Sequence, residues 1–275
     1  MSEALRLVRL TSRAIVQVAG PDWRGFLQGL LTQDVETLAD GELRYAALLN
    51  PQGKLLYDLF LFGADDGCLI DVATVHRDAL VQRLAIYRLR AKVEIDAVEG
   101  DVMALLPVGD WPADMPAPPG WARDPRLAAL GWRAAGAFPS GEAECEDVYD
   151  AHRLALGVPE PAKDAPPETS YPVEANLDLL HGIDFQKGCF VGQETTSRMK
   201  RRGAIKSRMV ELSFDGPTPT YGAEVLNGDL RAGEVRGGID GRALALVRLD
   251  RIDGSLTVDG RAVTVDRPGY LTVEG

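Results

Sequence analysis

The chain has 275 residues, of which 45% are hydrophobic, and its 41 acidic and 30 basic side chains give a net charge of −11. This length and composition are typical of a soluble globular protein with about two domains. A strongly negative chain lacks the positive field needed for broad contact with nucleic acid or an anionic membrane, so both are disfavoured as partners. No run approaches the ~20 apolar residues that span a bilayer, and no secretory signal is visible, which together predict a cytoplasmic protein.

The first part of the chain, residues 1–205, is predicted to be of the α+β class, with antiparallel strands and helices in two hairpin-plus-helix cycles. In chain order we expect a strand at 13–18, a helix at 23–31 capped by Asp22, strands at 44–49 and 55–62 joined by a turn, a helix at 75–90 capped by Thr74, and a strand at 93–97. Two proline-rich stretches, 107–125 and 159–172, are predicted to be long surface connections.

The last part of the chain, residues 206–275, has a different texture. Short β-prone runs alternate there with Gly and Asp, at 209–214, 224–226, 243–249, 256–258 and 262–265. Many short strands with regular turn signals predict a small β-barrel or sandwich. We therefore place a domain boundary near residue 205.

Cysteine use argues against a disulfide framework or a closed metal site. The three cysteines, Cys68, Cys145 and Cys189, are few and scattered and show no C-x-x-C spacing. They cannot alone supply the four ligands of an ordinary iron–sulfur cluster, so a metal would take at most one thiolate from this chain. Cys68 lies in an apolar strand run and is predicted to be structural, and the glutamates beside Cys145 disfavour its thiolate.

The segment most informative about chemistry is 182–194, around Cys189. Gly188 leaves room beside the thiol, and Gly192 permits an unusual backbone angle. The residues after Gly192 favour a helix, which places Cys189 just ahead of a positive helix end. That end and the nearby Lys187 both favour the thiolate, the form that ligates iron, attacks electrophiles or exchanges disulfides. A lone cysteine is more often a small buried hydrophobe, but the polar neighbours favour a functional one.

Two further features are consistent with ligand binding. Residues 195–208 contain six basic side chains and no acidic one: Arg198, Lys200, Arg201, Arg202, Lys206 and Arg208. This local reversal of charge is either a solvated helix face or a site for a carboxylate or phosphate. The carboxylate of Glu174 is suited to accept the adjacent N–H donors of a pterin edge, although an unliganded surface position is the commoner role for a glutamate.

Several motifs between residues 172 and 203 together resemble one known protein family. They are Pro172-Val173-Glu174, Gly182-Ile183-Asp184-Phe185 and Lys187-Gly188-Cys189-Phe190-Val191-Gly192-Gln193-Glu194, followed by Arg198 and Arg202-Gly203. This pattern closely resembles the YgfZ family, folate-binding relatives of the glycine cleavage T-protein that include mitochondrial proteins which help to mature [4Fe–4S] enzymes. Looser likeness covers 26–35, 53–58, 87–90, Arg153 and Gly157.

The resemblance implies a fold, a ligand and a function. The fold would be interleaved ferredoxin-like subdomains around a central opening that binds tetrahydrofolate, plus a C-terminal β-barrel. The protein would be an accessory factor in [4Fe–4S] cluster assembly or repair and would indirectly support enzymes that modify transfer RNA. Its partners would be assembly or client proteins. The resemblance does not decide whether the protein itself holds a transient, shared cluster. Cys189 would be a transient iron ligand or redox thiol assisted by Lys187, and the folate or partner contacts would be Glu174, Asp58, Gly188, Gly192, Gln193, Glu194, Arg198, Arg201 and Arg202.

One departure from the T-protein pattern bears on the alternative functions. Where that enzyme has adjacent aspartates, this chain has Tyr57-Asp58, so an acid is missing from the region associated with aminomethyl transfer. A folate-dependent one-carbon transferase is therefore the alternative function, and Asp58 is either a folate contact or a strand-surface residue. A nucleic-acid-binding module rests only on the basic cluster and the barrel, and the net charge disfavours it.

Overall fold

Antiparallel sheets organise the chain in this computed structural model, which describes residues 5–109, 115–138, 142–201 and 205–271. The strands are β1 (Leu5–Arg9), β2 (Arg13–Ala19), β3 (Leu43–Leu49), β4 (Leu55–Ala64), β5 (Gly67–Ala73), β6 (Glu94–Val98), β7 (Asp101–Pro107), β8 (Ala122–Arg123), β9 (Trp132–Gly136), β10 (Ser207–Ser213), β11 (Glu224–Asn227), β12 (Leu230–Ile239), β13 (Arg242–Arg248), β14 (Leu256–Val258) and β15 (Arg261–Asp266). The helices are α1 (Trp23–Gln28), α2 (Arg77–Arg88), α3 (Glu146–Ala155), α4 (Pro161–Asp164) and α5 (Gln193–Arg201). Within the described ranges, no helix is both long and apolar enough to cross a membrane.

The strand order interleaves two sheets. One sheet has the order β3-β4-β5-β2-β6 and the other the order β1-β7-β9-β8, so the chain leaves the second sheet after β1 and returns to it at β7. Strands β10 to β15 close into a barrel in the order β10-β13-β12-β11-β14-β15. The predicted class, interleaved antiparallel α+β with a C-terminal barrel, is confirmed.

Local signals located most of the early elements, and the capping predictions were wrong. The hairpin of β3 and β4 forms as predicted, with Ala47 paired to Asp58. The Asp22 carboxylate makes no cap bond to α1 and accepts instead from the backbone N–H of Lys92 at 2.8 Å. Residues 74–76 form a 3₁₀ turn, and α2 begins only at Arg77.

The first half of the second proline-rich stretch, residues 159–165, is not a surface connection, whereas residues 166–169 are exposed as predicted. The first half contains α4, and Glu160 and Asp164 in it are 1% exposed. The Asp164 carboxylate accepts from Arg153 at 2.8 Å and from the backbone N–H of Glu160 at 2.7 Å. Residues 159–165 lie against the core because their acidic groups pair with buried arginines. In the first stretch, residues 110–114 lie outside the described residues and Ala122–Arg123 form β8.

The barrel contains one strand that the sequence did not indicate, β12. It carries Gly233, Gly237 and Gly238, and glycine inside a strand weakens the strand signal. A Cβ on Gly233 would lie 2.2 Å from the Leu246 carbonyl oxygen on β13. The strand therefore needs glycine for its close approach to β13, which removes the pattern that would have predicted it.

A buried ion network joins the two sheets to the helices behind them. Its members are Arg13, Asp58, Asp71, Asp124, Arg126, Arg133, Tyr149, Arg153, Glu160 and Asp164, each at most 3% exposed except Arg13 at 5%. Arg13 bonds Asp71 at 2.6 Å and Asp58 at 3.0 Å, and Arg133 from the other sheet also bonds Asp71 at 2.6 Å. Because burying a charge is costly unless it is paired, this network fixes how the sheets dock.

Candidate functional site: the cysteine loop and helix α5

The cysteine loop, residues 182–192, presents an exposed thiol between two anchored neighbours. Gly188 and Cys189 are exposed, and a Cβ on Gly188 would meet nothing within 4 Å. Phe190 is 7% exposed and packs into the core beneath the loop. The next residue, Val191, packs against a second core cluster. The tip of the loop is thus open to solvent, while the residues that follow it are fixed.

The start of α5 lies where the sequence predicts it and is packed against the turn between β3 and β4. The helix begins at Gln193, four residues after Cys189. Gly192 has φ +82°, and a Cβ there would lie 2.9 Å from the Asn50 carbonyl oxygen and from the Gly53 Cα. Gln193 ties the loop to the helix by donating from Nε2 to the Gly188 carbonyl oxygen at 3.4 Å. Only a residue without a Cβ fits at position 192.

Lys187 does not reach towards the thiol, contrary to the prediction. Its Nζ donates to three backbone carbonyl oxygens, those of Gln28, Leu31 and Gln33, each at 2.8 Å. Burial lowers the pKa of this lysine to about 8. With all three ammonium donors directed at carbonyls, Lys187 is an anchor of the loop rather than the partner of the Cys189 sulfur.

A cavity of about 490 Å³ opens beside the cysteine loop along α5. Its lining combines an aromatic ring, an amide, a carboxylate and cations: Phe185, Gln193, Glu194, Ser197, Lys200 and Arg201. The Lys200 ammonium lies 5.1 Å from the centre of the Phe185 ring. The volume lies in the range of small-molecule sites, while the lining is more polar than in most such sites. Arg198 is exposed on the same helix, so three residues of the predicted basic cluster, Arg198, Lys200 and Arg201, lie on one element. Arg208 lies apart from them in β10, where it is 4% exposed and paired with Asp178, and Lys206 precedes that strand.

The other predicted ligand residues lie apart from this cavity. The Glu174 carboxylate is half-buried and accepts from the backbone N–H of Tyr171 at 2.8 Å, closing its own turn. Asp58 is 1% exposed and paired with Arg13, so it is neither a strand-surface residue nor open to a ligand. Arg202 lies outside the described residues. Neither Asp58 nor Glu174 lines the cavity along α5.

The remaining cysteines differ in surroundings. Cys68 is buried in the core, where burial raises the pKa of its thiol, as expected of a structural residue. Cys145 is exposed just before α3. Across the described residues, no group of three or more His, Cys, Asp or Glu side chains is arranged to hold a metal ion.

Two residues that hold the cysteine loop were missed by sequence reasoning. Thr32 donates its hydroxyl to the Gly182 carbonyl oxygen at 2.6 Å and accepts from the Ala47 N–H at 2.8 Å. The Asp184 carboxylate accepts from the backbone N–H groups of Gln186 at 2.7 Å and Lys187 at 3.2 Å. Thr32 lies in the run 26–35, whose looser family likeness was the available signal, and Asp184 lies in the motif itself.

Two comparisons concern the fold. Residues 206–272 match the family model described as CAF17, C-terminal beta-barrel domain. The crystal structure of glycine cleavage system aminomethyltransferase T from Bartonella henselae superposes with a TM-score of 0.77, covering 98% of this chain and 86% of that chain at 19% identity. At that identity the likeness shows the fold alone, which is the T-protein fold.

Sequence relatives decide the family. The human protein named iron-sulfur cluster assembly factor IBA57, mitochondrial, is 35% identical over 282 residues, covering 91% of this chain and 79% of the human protein. The Mycosarcoma maydis homologue of IBA57 is 35% identical over 241 residues, covering 78% of this chain and 58% of the fungal protein. The chain belongs to the IBA57 family.

Membership of the IBA57 family corrects the predicted location of the protein and bears on the predicted family resemblance. The human and fungal IBA57 proteins are both named as mitochondrial, so the prediction of a cytoplasmic protein is wrong. The predicted likeness to relatives of the T-protein holds at the level of the fold and of the wider superfamily that contains both the YgfZ and IBA57 proteins.

Proposed function

We propose that this protein is an iron–sulfur cluster assembly factor that uses Cys189 as a transient iron ligand or redox thiol. The observation that carries the proposal is the exposed thiol at the tip of a loop whose adjoining residues are anchored. The names of the human and fungal relatives support the assembly role. A loop of this kind presents sulfur to a partner without requiring the core to open.

The chemistry asked of Cys189 is modest. The thiol loses its proton to solvent as the sulfur binds iron, and one sulfur leaves the remaining ligands of a [4Fe–4S] cluster to a partner protein or client. The positive N-terminal end of α5, a nine-residue helix that begins four residues later, favours negative charge nearby. The basic side chains Arg198, Lys200 and Arg201 on this helix are proposed as contacts for an acidic partner or ligand.

Replacing the thiol tests this function directly. Cys189→Ser should reduce the activity of a [4Fe–4S] enzyme, for example one that modifies transfer RNA, by about tenfold or more in cells that depend on this protein, because serine is a poor ligand for iron. The midpoint of urea unfolding should not change, since the side chain is exposed.

The matched control is Cys145→Ser, which removes the other exposed thiol and should support the enzyme as wild type does. Full support by Cys189→Ser would show that the assigned role of this thiol is wrong.

We further infer that the cavity along α5 binds a reduced folate. Its residues fit the parts of that molecule: Phe185 for stacking, Gln193 and Glu194 for the pterin N–H groups, and Lys200 and Arg201 for the glutamyl carboxylates. When bound, tetrahydrofolate would supply a carrier of one-carbon units. The T-protein fold supports the inference at the level of architecture.

Titration with tetrahydrofolate, followed by protein fluorescence, tests this site. Arg201→Glu should weaken binding by about tenfold or more, because a bidentate contact to a carboxylate becomes a repulsion. Arg231→Glu on the barrel surface reverses the same charge far along the chain and should leave the dissociation constant unchanged. Equal weakening by both variants, or by neither, would remove the folate site from this cavity.

Aminomethyl transfer is the alternative function, supported by the fold of the Bartonella enzyme. The equivalent acidic region here offers Tyr57, whose ring lies 5.0 Å from that of His76, and the fully buried Asp58. Incubation with an aminomethylated lipoyl carrier and tetrahydrofolate should accordingly release no methylene-tetrahydrofolate. Turnover in that assay would favour the transferase.

A further inference from the structure

The three carbonyl oxygens that receive Lys187 form a preassembled site, here called the carbonyl cage: Gln28 O, Leu31 O and Gln33 O. The cage is held by side chains that do not involve Lys187. Gln28 donates to the Asp34 carboxylate at 2.8 Å and accepts from the Val35 N–H at 2.7 Å. Arg44 donates to the Asp34 carbonyl oxygen at 2.8 Å. These bonds hold the segment that carries the cage without using Lys187.

The first residues of the cysteine loop are bonded to the segment 28–33, which carries the carbonyl cage. The Thr32 hydroxyl donates to the Gly182 carbonyl oxygen at 2.6 Å, and the Asp184 N–H donates to the Thr32 carbonyl oxygen at 3.0 Å. Lys187 makes the last contact with the cage before the exposed tip. Gly188 then contributes no side-chain packing of its own. The direction of the tip is set by its neighbours, Lys187 before it and Phe190 after it.

We propose that Lys187 is a positioning residue, which holds Cys189 in place by binding its ammonium group in the carbonyl cage. The proposal rests on the proposed function of Cys189, because a positioned thiol matters only if the thiol acts. A four-carbon stem lets the ammonium reach carbonyls 154 to 159 residues earlier in the chain, so the loop is tied to α1 and the segment that follows it.

The charge of the lysine suits this role. An ammonium group has three donors, matching three acceptors, whereas a neutral amine has two. The Phe190 ring, 5.4 Å from the ammonium, covers it further and links the two anchors of the tip.

The two exposed cysteines allow the positioning to be measured in the full chain. Nitroxide labels on Cys145 and Cys189, with Cys68 protected by burial, give a distance distribution by pulsed electron paramagnetic resonance. In Lys187→Met, which keeps the length and apolar stem but removes all three donors, that distribution should broaden about twofold because the tip gains freedom. Unlabelled Lys187→Met should support a [4Fe–4S] enzyme about tenfold less well, because small misplacements of a reacting group are costly.

The matched control is Lys54→Met, which removes a bond to the Thr169 carbonyl oxygen at 3.0 Å and a contact with the Tyr171 ring at 3.6 Å, both outside the cysteine loop. It should change neither the distribution nor the support. Lys187→Gln, which keeps two N–H donors, should broaden the distribution by an intermediate amount and serves if Lys187→Met does not fold.

An unchanged distance distribution in the Lys187 variants overturns the proposal. So does a broadened distance distribution in a variant that supports the [4Fe–4S] enzyme as well as wild type does. The distance measurement does not depend on what the thiol does. If Cys189→Ser fully supports the [4Fe–4S] enzyme, the proposed function of the thiol is wrong, whatever the distance measurement shows about the loop.

Discussion

Arg13→Met is expected to lower the free energy of unfolding by about 3–5 kcal/mol, because it leaves buried carboxylates without their cation. The Arg13 side chain is fully buried and bonds Asp71, Asp58 and Glu160 at 2.6, 3.0 and 3.3 Å. Asp71 keeps Arg133, but Asp58 loses its ion-pair partner and Glu160 loses its bond. Urea unfolding followed by circular dichroism measures the loss.

The effect of Arg13→Met should depend on pH in a defined direction. Burial acts to raise the pKa of Glu160, but Arg13, Arg153 and the neighbouring arginines outweigh it and lower the pKa from 4.5 to about 2. The wild type therefore has this stabilisation in full above pH 4.5 and loses it as the pH falls towards 2. Since the variant has less to lose, its deficit should shrink over that range.

The control for Arg13 is Arg6→Met, which breaks an exposed pair with Glu144 and should leave the unfolding midpoint within error of wild type. If Arg13→Met unfolds like Arg6→Met, the buried network does not fix the docking of the sheets. A deficit that stays constant from neutral pH to pH 2 would assign the loss to packing rather than to charge.

The same network marks the limit of what the sequence could predict. The strands of the first hairpin and the start of α5 follow from local signals, such as a turn between two β-prone runs and a glycine ahead of helix formers. The partners of Arg13 lie 45 to 147 residues further along the chain, and no periodicity relates them. Pairing between distant charges depends on how the sheets dock, which local patterns do not encode.

Lys187 illustrates the same limit within the candidate site. We predicted an electrostatic contact between Lys187 and the thiol because the two residues are close in sequence. A motif shows which residues are close in sequence, but not which residues are in contact in the fold. The stem of the lysine turns to distant carbonyl oxygens instead, and backbone acceptors leave no signature in side-chain identity. The glycines of the motif were easier to interpret, because the absence of a Cβ permits unusual backbone angles and close approach whichever residues lie nearby.

Gly192→Ala is expected to lower the free energy of unfolding by about 2–4 kcal/mol, combining a left-handed backbone angle with overpacking. The added Cβ would lie 2.9 Å from the Asn50 carbonyl oxygen, 2.9 Å from the Gly53 Cα and 3.0 Å from the Leu49 Cβ. Two of these three atoms belong to the backbone, so neither side can yield without moving the turn or the start of α5. Urea unfolding measures the change.

The control for Gly192 lies in the same motif. Gly188→Ala adds the same methyl group where nothing lies within 4 Å, so its stability should stay within about 0.5 kcal/mol of wild type. Gly53 lies on the other side of the same contact between the turn and α5. It has φ +80°, and a Cβ on it would lie 2.9 Å from the Thr195 Cβ, so Gly53→Ala creates a clash at the same place. The double variant should therefore lose less stability than the sum of the two single losses, because one displacement relieves both clashes. Strict additivity, or a Gly192→Ala protein as stable as Gly188→Ala, would mean that the turn and helix are not in rigid contact and that α5 does not hold the cysteine loop.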